Sequence, residues 1–242
     1  MAPHIIWLGV CTSTNAELDA MPDAPAGTVV AAVSQTAGRG QRGASWEAEP
    51  GKNLTFSQLF RPSNIHAARQ FELSMLISLA VADTIDRLIA HKGLTTKIKW
   101  PNDIYVGDSK IAGILIENKL NGSSIHRSIA GIGININQTI FLSDAPNPVS
   151  VAQLTGEETP LRPLLDDLAA RLDKYVGDYD GNASVLKENY MKRLYRGDGF
   201  QYPFARPDGT KFHASITGID PDGTLHLSDG GAYAFKEVAY II

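Results

Sequence analysis

The chain of 242 residues carries a formal net charge of -4, with 43% hydrophobic and 20% charged residues, as in an ordinary soluble globular protein. The negative balance argues against general attraction to nucleic acid or anionic membranes. A single cysteine, Cys11, excludes an intrachain disulfide and a thiolate-rich metal site, and the six histidines lack metal-site spacing. With no signal peptide and no apolar run long enough for a bilayer, these features predict a cytoplasmic protein.

The N-terminal part of the chain contains short strand patterns and one long helix pattern. Thr14 and Glu17 have the spacing of a capping box, which predicts a short helix that starts there. The β-branched run at residues 28–33 and the alternating run at 54–60 predict strands. Apolar residues recur at three- and four-residue steps across 71–89, with charged residues between them, which predicts an amphipathic helix with one buried face.

The middle of the chain is dominated by strand patterns. Strand-like runs occupy residues 97–100, 103–106, 111–118 and 125–137, and Gly107-Asp108-Ser109 supplies a tight turn. Strands, one helix and then several more strands lack the regular alternation of a doubly wound parallel sheet. The order therefore predicts an α+β fold with a mixed sheet.

The C-terminal part begins with two amphipathic helical regions, at about 161–179 and 183–194. After Gly197, Asp-Gly pairs separate short alternating segments, which is a strong hairpin signal. Residues from about 196 to the end are therefore predicted to form a small all-β barrel or meander.

We expect a main domain over residues 1–194 and a small C-terminal domain over residues 195–242. Within the second, Pro-Asp-Gly-Thr occurs twice, at 207–210 and 221–224. Turn chemistry alone demands these residue types, so two similar turns explain the repetition better than a functional repeat.

A glycine-rich loop at residues 38–43 matches the pattern Gly-x-Gly-x-x-Gly. A dinucleotide site needs a helix that opens at the third glycine, and the residues after Gly43 are poor helix formers, which excludes that interpretation. Gly51-Lys52-Asn53 lacks the earlier glycine and the hydroxyl residue of a P-loop. What remains is a loop whose amides and arginines suit a phosphate or carboxylate, or else a mobile loop whose cations only keep it solvated.

Four segments of the chain carry a more specific signal in combination. They are Ser13-Thr14-Asn15; Gln-Thr-Ala-Gly-Arg-Gly-Gln-Arg-Gly-Ala-Ser-Trp at 35–46; Lys99-Trp100-Pro101-Asn102-Asp103 followed by Lys-Ile-Ala-Gly-Ile-Leu-Ile-Glu at 110–117; and Gly-Ile-Gly-Ile-Asn-Ile-Asn at 131–137. In this order and spacing they resemble the signature blocks of the biotin protein ligase family. The resemblance runs from about residue 5 to 140, and the C-terminal stretch resembles that family's small SH3-like domain.

This resemblance implies a mixed-sheet catalytic domain of the biotin/lipoate ligase type with a small C-terminal SH3-like β-barrel. It also implies a two-step reaction with biotin and ATP as substrates and with Mg²⁺. The biotin carboxylate attacks the α-phosphate of ATP to give biotinyl-5′-AMP and pyrophosphate, and the amine of a carrier lysine then displaces AMP. The implied partner is a biotin carboxyl carrier protein of acetyl-CoA carboxylase or a related enzyme. Because two anions must meet, positioned cations and backbone donors are expected to dominate catalysis.

The resemblance also assigns roles to individual residues. It assigns catalysis to Lys110, which would bridge the biotin carboxylate and the α-phosphate, and to Arg39. It assigns biotin binding to Ser13, Thr14, Asn15, Gln35, Gly38, Arg39, Gly40, Gln41, Lys110 and Gly113. It assigns ATP binding to Arg39, Gln41, Arg42, Trp46, Lys99, Asn102 and Asn135, and a Mg²⁺ contact to Asp103.

Simpler interpretations of several of these residues stay open at this point. Lys110 also fits a hairpin-turn lysine that faces water, Lys99 a strand-edge cation, Trp46 a core aromatic and Thr14 a helix cap.

The chain departs from the family pattern in the glycine-rich loop. Family members often carry basic residues where this chain has Gln41 and Ala44. We therefore hypothesise that biotinyl-AMP escapes faster from this chain than from members with the fuller arginine set. The blocks begin at Ser13, which leaves no room for the N-terminal winged-helix domain of the repressing members, so DNA binding is not expected. Some members dimerise through edge strands, and a homodimer stays open here.

Two other classes of function compete with this interpretation. A lipoate or octanoyl transferase has a similar fold, but it is not expected to combine the Gly-Arg-Gly block with Lys-Trp-Pro-Asn-Asp. A non-catalytic binding module would keep the pocket, but the presence of Lys110 beside both asparagine blocks argues against it.

Overall fold

The computed structural model describes residues 4–143 and 147–242 and, at Arg42, the backbone alone. The strands of its main sheet are β1 (Ile5–Cys11), β2 (Val29–Gln35), β3 (Leu54–Phe60), β4 (Thr96–Lys99), β5 (Asp103–Val106), β6 (Ser109–Asn121) and β7 (Ser124–Ile134). The helices of the described residues are α1 (Thr14–Asp19), α2 (Phe71–Ile89), α3 (Val151–Thr155), α4 (Leu161–Gly177) and α5 (Ala183–Lys192). No helix in this part of the chain combines the length and the apolar character needed to cross a lipid bilayer.

The main sheet is mixed, with the strand order β1-β2-β3-β7-β6-β5-β4. β1 pairs in parallel with β2, and α1 lies in the crossover that a parallel pair requires. Every other neighbouring pair in this sheet is antiparallel. This topology confirms the predicted α+β fold with a mixed sheet.

Apolar side chains cover both faces of the sheet. Along β2, Val29 and Ala31 belong to the large core, whereas Val30 between them belongs to a second, smaller cluster, because successive strand residues point to opposite faces. The large core contains α2 together with α4 and α5. The prediction of one buried face is wrong for α2: 14 of its 19 residues are buried, because it packs against the sheet as well as against α4 and α5. Leu18 of α1 packs in the smaller cluster. The α1 helix, which starts at the predicted Ser-Thr-Asn block, is therefore held against the sheet on its own side.

The C-terminal part of the chain forms two small antiparallel sheets, as predicted. Their strands are β8 (Tyr202–Ala205), β9 (Lys211–Ala214), β10 (Ile216–Ile219), β11 (Leu225–Leu227), β12 (Ala232–Tyr233) and β13 (Ala239–Tyr240). The turn glycines Gly209, Gly223 and Gly230 have φ values of 86°, 98° and 83°, a region that favours glycine. Each preceding aspartate accepts a hydrogen bond from the backbone N–H two residues on, which closes the turn.

The sequence-based prediction is wrong about how α1 begins. Ser13 is the cap residue, and no side chain caps the helix. The Thr14 hydroxyl instead donates to Gln35 Oε1 at 3.2 Å, because the end of β2 lies beside the helix start. β1 and α3 were not predicted at all. The strand predicted at 125–137 ends earlier, at Ile134.

The C-terminal end of α1 is fixed by a buried arginine. Arg127, on β7, is 5% exposed, and its guanidinium donates to the carbonyls of Leu18 at 2.5 Å and Met21 at 3.0 Å. The Leu18 and Met21 carbonyls also accept backbone N–H groups, from Met21 and Ala24, both at 3.2 Å. The guanidinium therefore adds a charged donor to a turn that is already hydrogen-bonded. Arg127 thereby ties α1 to the centre of the main sheet.

Replacement of Arg127 by alanine is expected to lower the free energy of unfolding by roughly 2–3 kcal/mol, because two charged hydrogen bonds and the packing of a buried side chain are lost. Urea unfolding followed by circular dichroism measures the change. Lys119→Ala is the matched control. Lys119 and Arg127 both lie near Asp19 at the end of α1, but the side chain of Lys119 is 56% exposed. Its effect should stay within about 0.5 kcal/mol. Equal losses in the two variants would contradict the role given to Arg127.

Candidate functional site

A cavity of about 560 Å³ opens where the main sheet, the glycine-rich loop and the C-terminal residues 235–240 meet. Its size lies within the range of sites for small molecules. One end is formed by the start of α1 and the end of β2, and the floor by residues of β3, β6 and β7. We call it the main cavity.

The main cavity brings together most of the residues that the family resemblance singles out. Those that line it are Ser13, Thr14, Asn15, Gln35, Arg39, Gly40, Gln41, Trp46, Lys99, Asn102, Asp103, Lys110 and Gly113. They come from separate parts of the chain, and the main sheet, α1 and the glycine-rich loop together bring them to one cavity.

Two predicted site residues, Gly38 and Asn135, do not line the main cavity. The side chain of a third, Arg42, lies outside the described residues. Gly38 lies behind the wall, where a Cβ atom would stand 2.8 Å from the Trp46 carbonyl oxygen, so the two arms of the loop need a glycine to approach. Asn135 is buried, and its Nδ2 donates to the Val149 carbonyl at 3.1 Å. Its Oδ1 has no hydrogen-bond partner within the described residues.

A chain of hydrogen bonds orders the end of the main cavity at α1. Gln35 Oε1 accepts from the Thr14 backbone N–H at 2.8 Å and from its hydroxyl. The Ser57 hydroxyl, fully buried on β3, lies 2.7 Å from Thr14 Oγ1 and 2.5 Å from Asn15 Oδ1. This network fixes the rotamers of Thr14 and Asn15, so the polar groups at this end are preorganised.

Glu117 extends this network to the glycine-rich loop. Asn15 Nδ2 donates to Glu117 Oε2 at 2.6 Å, and the Arg39 guanidinium lies 3.8 Å from the same oxygen. Both Glu117 and Arg39 are about half exposed, so their ion pair is weak. Arg39 is consequently held near the cavity without being locked there.

Lys110 is fixed more firmly than a lysine of a free turn. Its backbone N–H donates to the Asn147 carbonyl at 2.8 Å, and its carbonyl accepts from the Val149 N–H at 2.9 Å. Its ammonium lies 2.7 Å from Asp103 Oδ1 and 5.7 Å from the centre of the Trp46 ring. The side chain is 25% exposed, so the charge points into the cavity and is only partly solvated.

Lys99 brings a second ammonium to the same cavity between two aromatic rings. Its Nζ lies 5.3 Å from the centre of the Tyr105 ring and 4.9 Å from that of Tyr240. Burial lowers the pKa of the Lys99 ammonium, the nearby carboxylate of Asp103 opposes this effect, and the Lys110 charge adds to it. An anionic ligand in the main cavity would favour the charged form of Lys99.

Glycines let Trp46 lie flat against the floor of the main cavity. A Cβ atom on Gly133 would stand 2.3 Å from Trp46 Cε2, and one on Gly113 would stand 3.1 Å from Cζ3. The indole N–H of Trp46 is buried without a hydrogen-bond partner among the described residues. A buried donor without a partner at a cavity is a position that a ligand oxygen or nitrogen can satisfy.

Several residues of this site were not found from the sequence. Ser57 and Glu117 complete the polar network, Gly133 makes room for Trp46, and Tyr240 closes the cavity beside Lys99. Glu117 stands within a matched block, which is the one signal that pointed to it. Ser57 and Tyr240 lie in ordinary strand patterns, so nothing local marks them.

The site is chemically suited to bind anions. Arg39, Lys99 and Lys110 line one cavity, where charges are screened less than at a free surface. Asp103 is the carboxylate nearest to Lys110 and could give one oxygen to a hard cation. The described residues contain no group of three or more His, Cys, Asp or Glu side chains that could hold a metal ion by themselves.

Comparison with known proteins agrees with this geometry. Residues 8–135, more than half of the chain, match the model of the biotin/lipoate A/B protein ligase family. The bifunctional ligase/repressor BirA of Bacillus spizizenii is 32% identical over 94% of this chain and 70% of its own length. The biotin–[acetyl-CoA-carboxylase] ligase of Paracoccus denitrificans is 31% identical over 89% of this chain and 90% of its own length.

Solved structures share the fold at lower identity. The biotin protein ligase of Aquifex aeolicus, in complex with biotin and ATP, has a TM-score of 0.79 at 22% identity, covering 98% of this chain and 97% of that one. The biotin protein ligase of Leishmania major, in complex with biotinyl-5-AMP, has a TM-score of 0.69 at 22% identity, covering 96% and 98%. With the family match and the relatives above 30% identity, these similarities establish that the chain belongs to the biotin/lipoate A/B protein ligase family.

Proposed function

We propose that this chain is a biotin protein ligase, which activates biotin with ATP and transfers it to a lysine of a carrier protein. The observation that carries this proposal is the convergence of Arg39, Lys99 and Lys110 in one cavity. Relatives named as biotin ligases over most of this chain support the choice of biotin as the acid. Lipoate, the other acid in the family's name, is the alternative that the experiment below tests.

The first step joins two anions, and the cations of the main cavity would make this feasible. The biotin carboxylate would attack the α-phosphorus of ATP, and the bond to pyrophosphate would break. Lys110 would bind the carboxylate and an α-phosphate oxygen together, because a compact ammonium suits a crowded transition state. Arg39 would leave its weak pair with Glu117 and close over the mixed anhydride. Lys99 would meet the departing pyrophosphate.

The two ends of the main cavity suit the two ends of biotinyl-5′-AMP. The ordered polar groups at α1, including Ser13, Thr14 and Gln35, would bind the ureido ring of biotin. Trp46 would pack on the adenine, and Asn102 would contact the nucleotide. The buried Asn135 Oδ1 has no donor among the described residues but does not line the main cavity, so the predicted contact with adenine would require the wall between them to open.

Mg²⁺ would contribute by neutralising phosphate charge when it is bound with ATP. Asp103 would hold it through one carboxylate oxygen, with phosphate oxygens and water as the other ligands, which is how Mg²⁺ is commonly bound. The single carboxylate beside the cations fits such a role, since Mg²⁺ sites of this kind need one or two carboxylates.

In the second step the amine of a carrier lysine would attack the acyl carbon. A C–N bond forms, the bond from the acyl carbon to the phosphate oxygen breaks, and AMP leaves with the electron pair. The lysine ammonium gives up two protons to solvent overall. The partner would be a carrier domain of a biotin-dependent carboxylase, as the names of the relatives suggest.

A carrier domain incubated with this protein, biotin and MgATP should gain one biotinyl group in its mass spectrum, with pyrophosphate released. The same reaction with lipoate in place of biotin should leave the carrier unmodified. Exclusive modification by lipoate would make the chain a lipoate ligase. Absence of pyrophosphate release with either acid would contradict the proposed activity.

The residues from 195 to 242 would complete the ATP side of the site as a small domain, with Tyr240 holding Lys99. Tyr240→Leu removes the ring and is expected to raise the KM for ATP roughly fivefold, while the KM for biotin changes less than twofold. Tyr240→Phe is the control, because the hydroxyl has no hydrogen-bond partner among the described residues and the ring stays. Steady-state kinetics measure both. An unchanged KM for ATP in Tyr240→Leu would remove this role.

The neutral Gln41 in the glycine-rich loop leads to a prediction about the intermediate. An arginine there would add a charged donor to the adenylate, so Gln41→Arg is expected to slow release of biotinyl-AMP roughly three- to tenfold in carrier-free reactions. Rapid filtration of enzyme-bound and free adenylate measures the rate. Gln41→Met, similar in length and uncharged, should release it about as fast as the native chain. Equal rates for Gln41→Arg and the native chain would show that the loop charge does not retain the adenylate.

A further inference from the structure

A second, smaller cavity of about 140 Å³ adjoins the main cavity. Gln41, Asn102 and Ile114 line both cavities and so form the partition between them. Asn102 Nδ2 donates to the Ile114 carbonyl at 2.6 Å, and the Ile114 N–H donates to the Asn102 carbonyl at 3.0 Å. These two residues are therefore a fixed part of the partition. Gln41 belongs to the glycine-rich loop, so it is the part that can move.

The chemistry of the smaller cavity is the reverse of that of the main cavity. Its described lining residues include no lysine, arginine or histidine; they are Gln41, Gln70, Phe71, Ser74, Ser78, Asn102, Ile114, Ile116, Asn118 and Asp222. Hydroxyl and amide oxygens and the Asp222 carboxylate supply acceptors. Phe71, Ile114 and Ile116 supply an apolar wall. An elongated group with an apolar stem and a cationic, donor-rich tip suits such a lining.

Two polar atoms of the residues that line this cavity have no hydrogen-bond partner in the part of the chain that the structure describes. Ser78, on α2, is 1% exposed, and its hydroxyl makes no hydrogen bond within the described residues. Asn118 Oδ1 is likewise buried without a partner there. Buried polar atoms are rarely left without a hydrogen bond, and both of these oxygens can accept one from a ligand. An ammonium has three donors and no acceptor, which makes it the complementary group.

Asp222 lies in one of the two Pro-Asp-Gly-Thr turns and differs from its counterpart in surroundings. Asp208 and Asp222 both accept from the backbone N–H of the threonine two residues on, at 2.8 and 2.9 Å. Turn chemistry thus explains both residues equally. Of the two aspartates, Asp222 alone is among the described residues that line the main or the smaller cavity. The negative charge at the smaller cavity is consequently a property of this turn's position.

We propose that the smaller cavity receives the side chain of the acceptor lysine, with its methylenes along Phe71 and Ile116 and its ammonium beside Ser78, Asn118 and Asp222. This inference rests on the proposed ligase activity. The nitrogen would enter the main cavity past Gln41, lose one proton to water and attack the acyl carbon. AMP would leave with the electron pair of the broken bond, and the new amide nitrogen would lose a second proton to water. The anionic substrates would then bind in the cavity lined by cations, and the cationic lysine would bind in the separate cavity that contains a carboxylate.

The test measures the two half-reactions separately in the full-length chain. Adenylate formation is followed by pyrophosphate release without carrier. Transfer is followed in single turnovers from enzyme-bound biotinyl-AMP to a carrier domain and, as a probe of the lysine alone, to Nα-acetyl-lysine amide. Asp222→Asn keeps the turn acceptor but removes the charge, and it should slow transfer to both amines about fivefold while adenylate formation changes less than twofold. Ser78→Val removes the hydroxyl and narrows the cavity, and it should slow transfer roughly tenfold, as expected for the loss of a hydrogen bond to a charged group.

Asp208→Asn is the matched control and should alter neither half-reaction. Transfer at the native rate in Asp222→Asn would overturn the proposal, as would equal slowing in Asp222→Asn and Asp208→Asn. If Ser78→Val does not fold, the aspartate pair alone decides. Failure of the proposed ligase activity can be distinguished from failure of this inference, because in the first case the native chain would release no pyrophosphate.

Discussion

The ion pair between Lys110 and Asp103 is the interaction on which the site depends. Asp103 pairs with Gly113 across the β5–β6 hairpin, and the register shifts by one residue before Tyr105 meets Lys110. A Cβ atom on Gly113 would make an ordinary contact with Lys110 Nζ at 3.4 Å but would stand 3.1 Å from Trp46 Cζ3, so the glycine chiefly leaves room for the indole. The shifted register thus aims a cation into a cavity that already holds Lys99. Asp103 balances one of the two ammonium charges, and an anionic ligand would balance the other.

The remainder of the site consists of parts with different degrees of freedom. The α1 helix is held at its start by Ser57 and Gln35 and near its end by Arg127, so the polar groups at its start form a rigid surface. Arg39 is attached to that surface only through the half-exposed Glu117. The site thus combines a rigid surface for the carboxylic acid substrate, two fixed ammonium groups and a loosely held arginine. Such a combination suits a site that must admit two substrates and then enclose a reactive product.

Local patterns predicted the parts of this fold that carry their own periodicity. The position of α2 and the Asp-Gly turns are determined within a few residues, and both were found where expected. The burial of α2 on nearly all sides was not, because it depends on helices far along the chain. β1 was missed because a short, mostly apolar run does not distinguish strand from helix. Ser57 and Glu117 both contact Asn15, which lies 42 positions before Ser57 and 102 positions before Glu117 in the chain. Lys99 is covered by the ring of Tyr240, close to the C-terminus. Such long-range contacts leave no local signal, whereas family blocks located most of the cavity wall.

Discrimination between biotin and biotinamide tests the central claim most directly, because the two differ in charge at the reacting group and hardly in shape. Calorimetry would measure both affinities for the native chain and for Lys110→Met, which keeps an unbranched stem without the charge. If converging cations define the site, the native chain should bind biotin at least about tenfold more tightly than the amide, and Lys110→Met should lose most of that preference. The same preference in both proteins would contradict the claim that Lys110 meets the carboxylate.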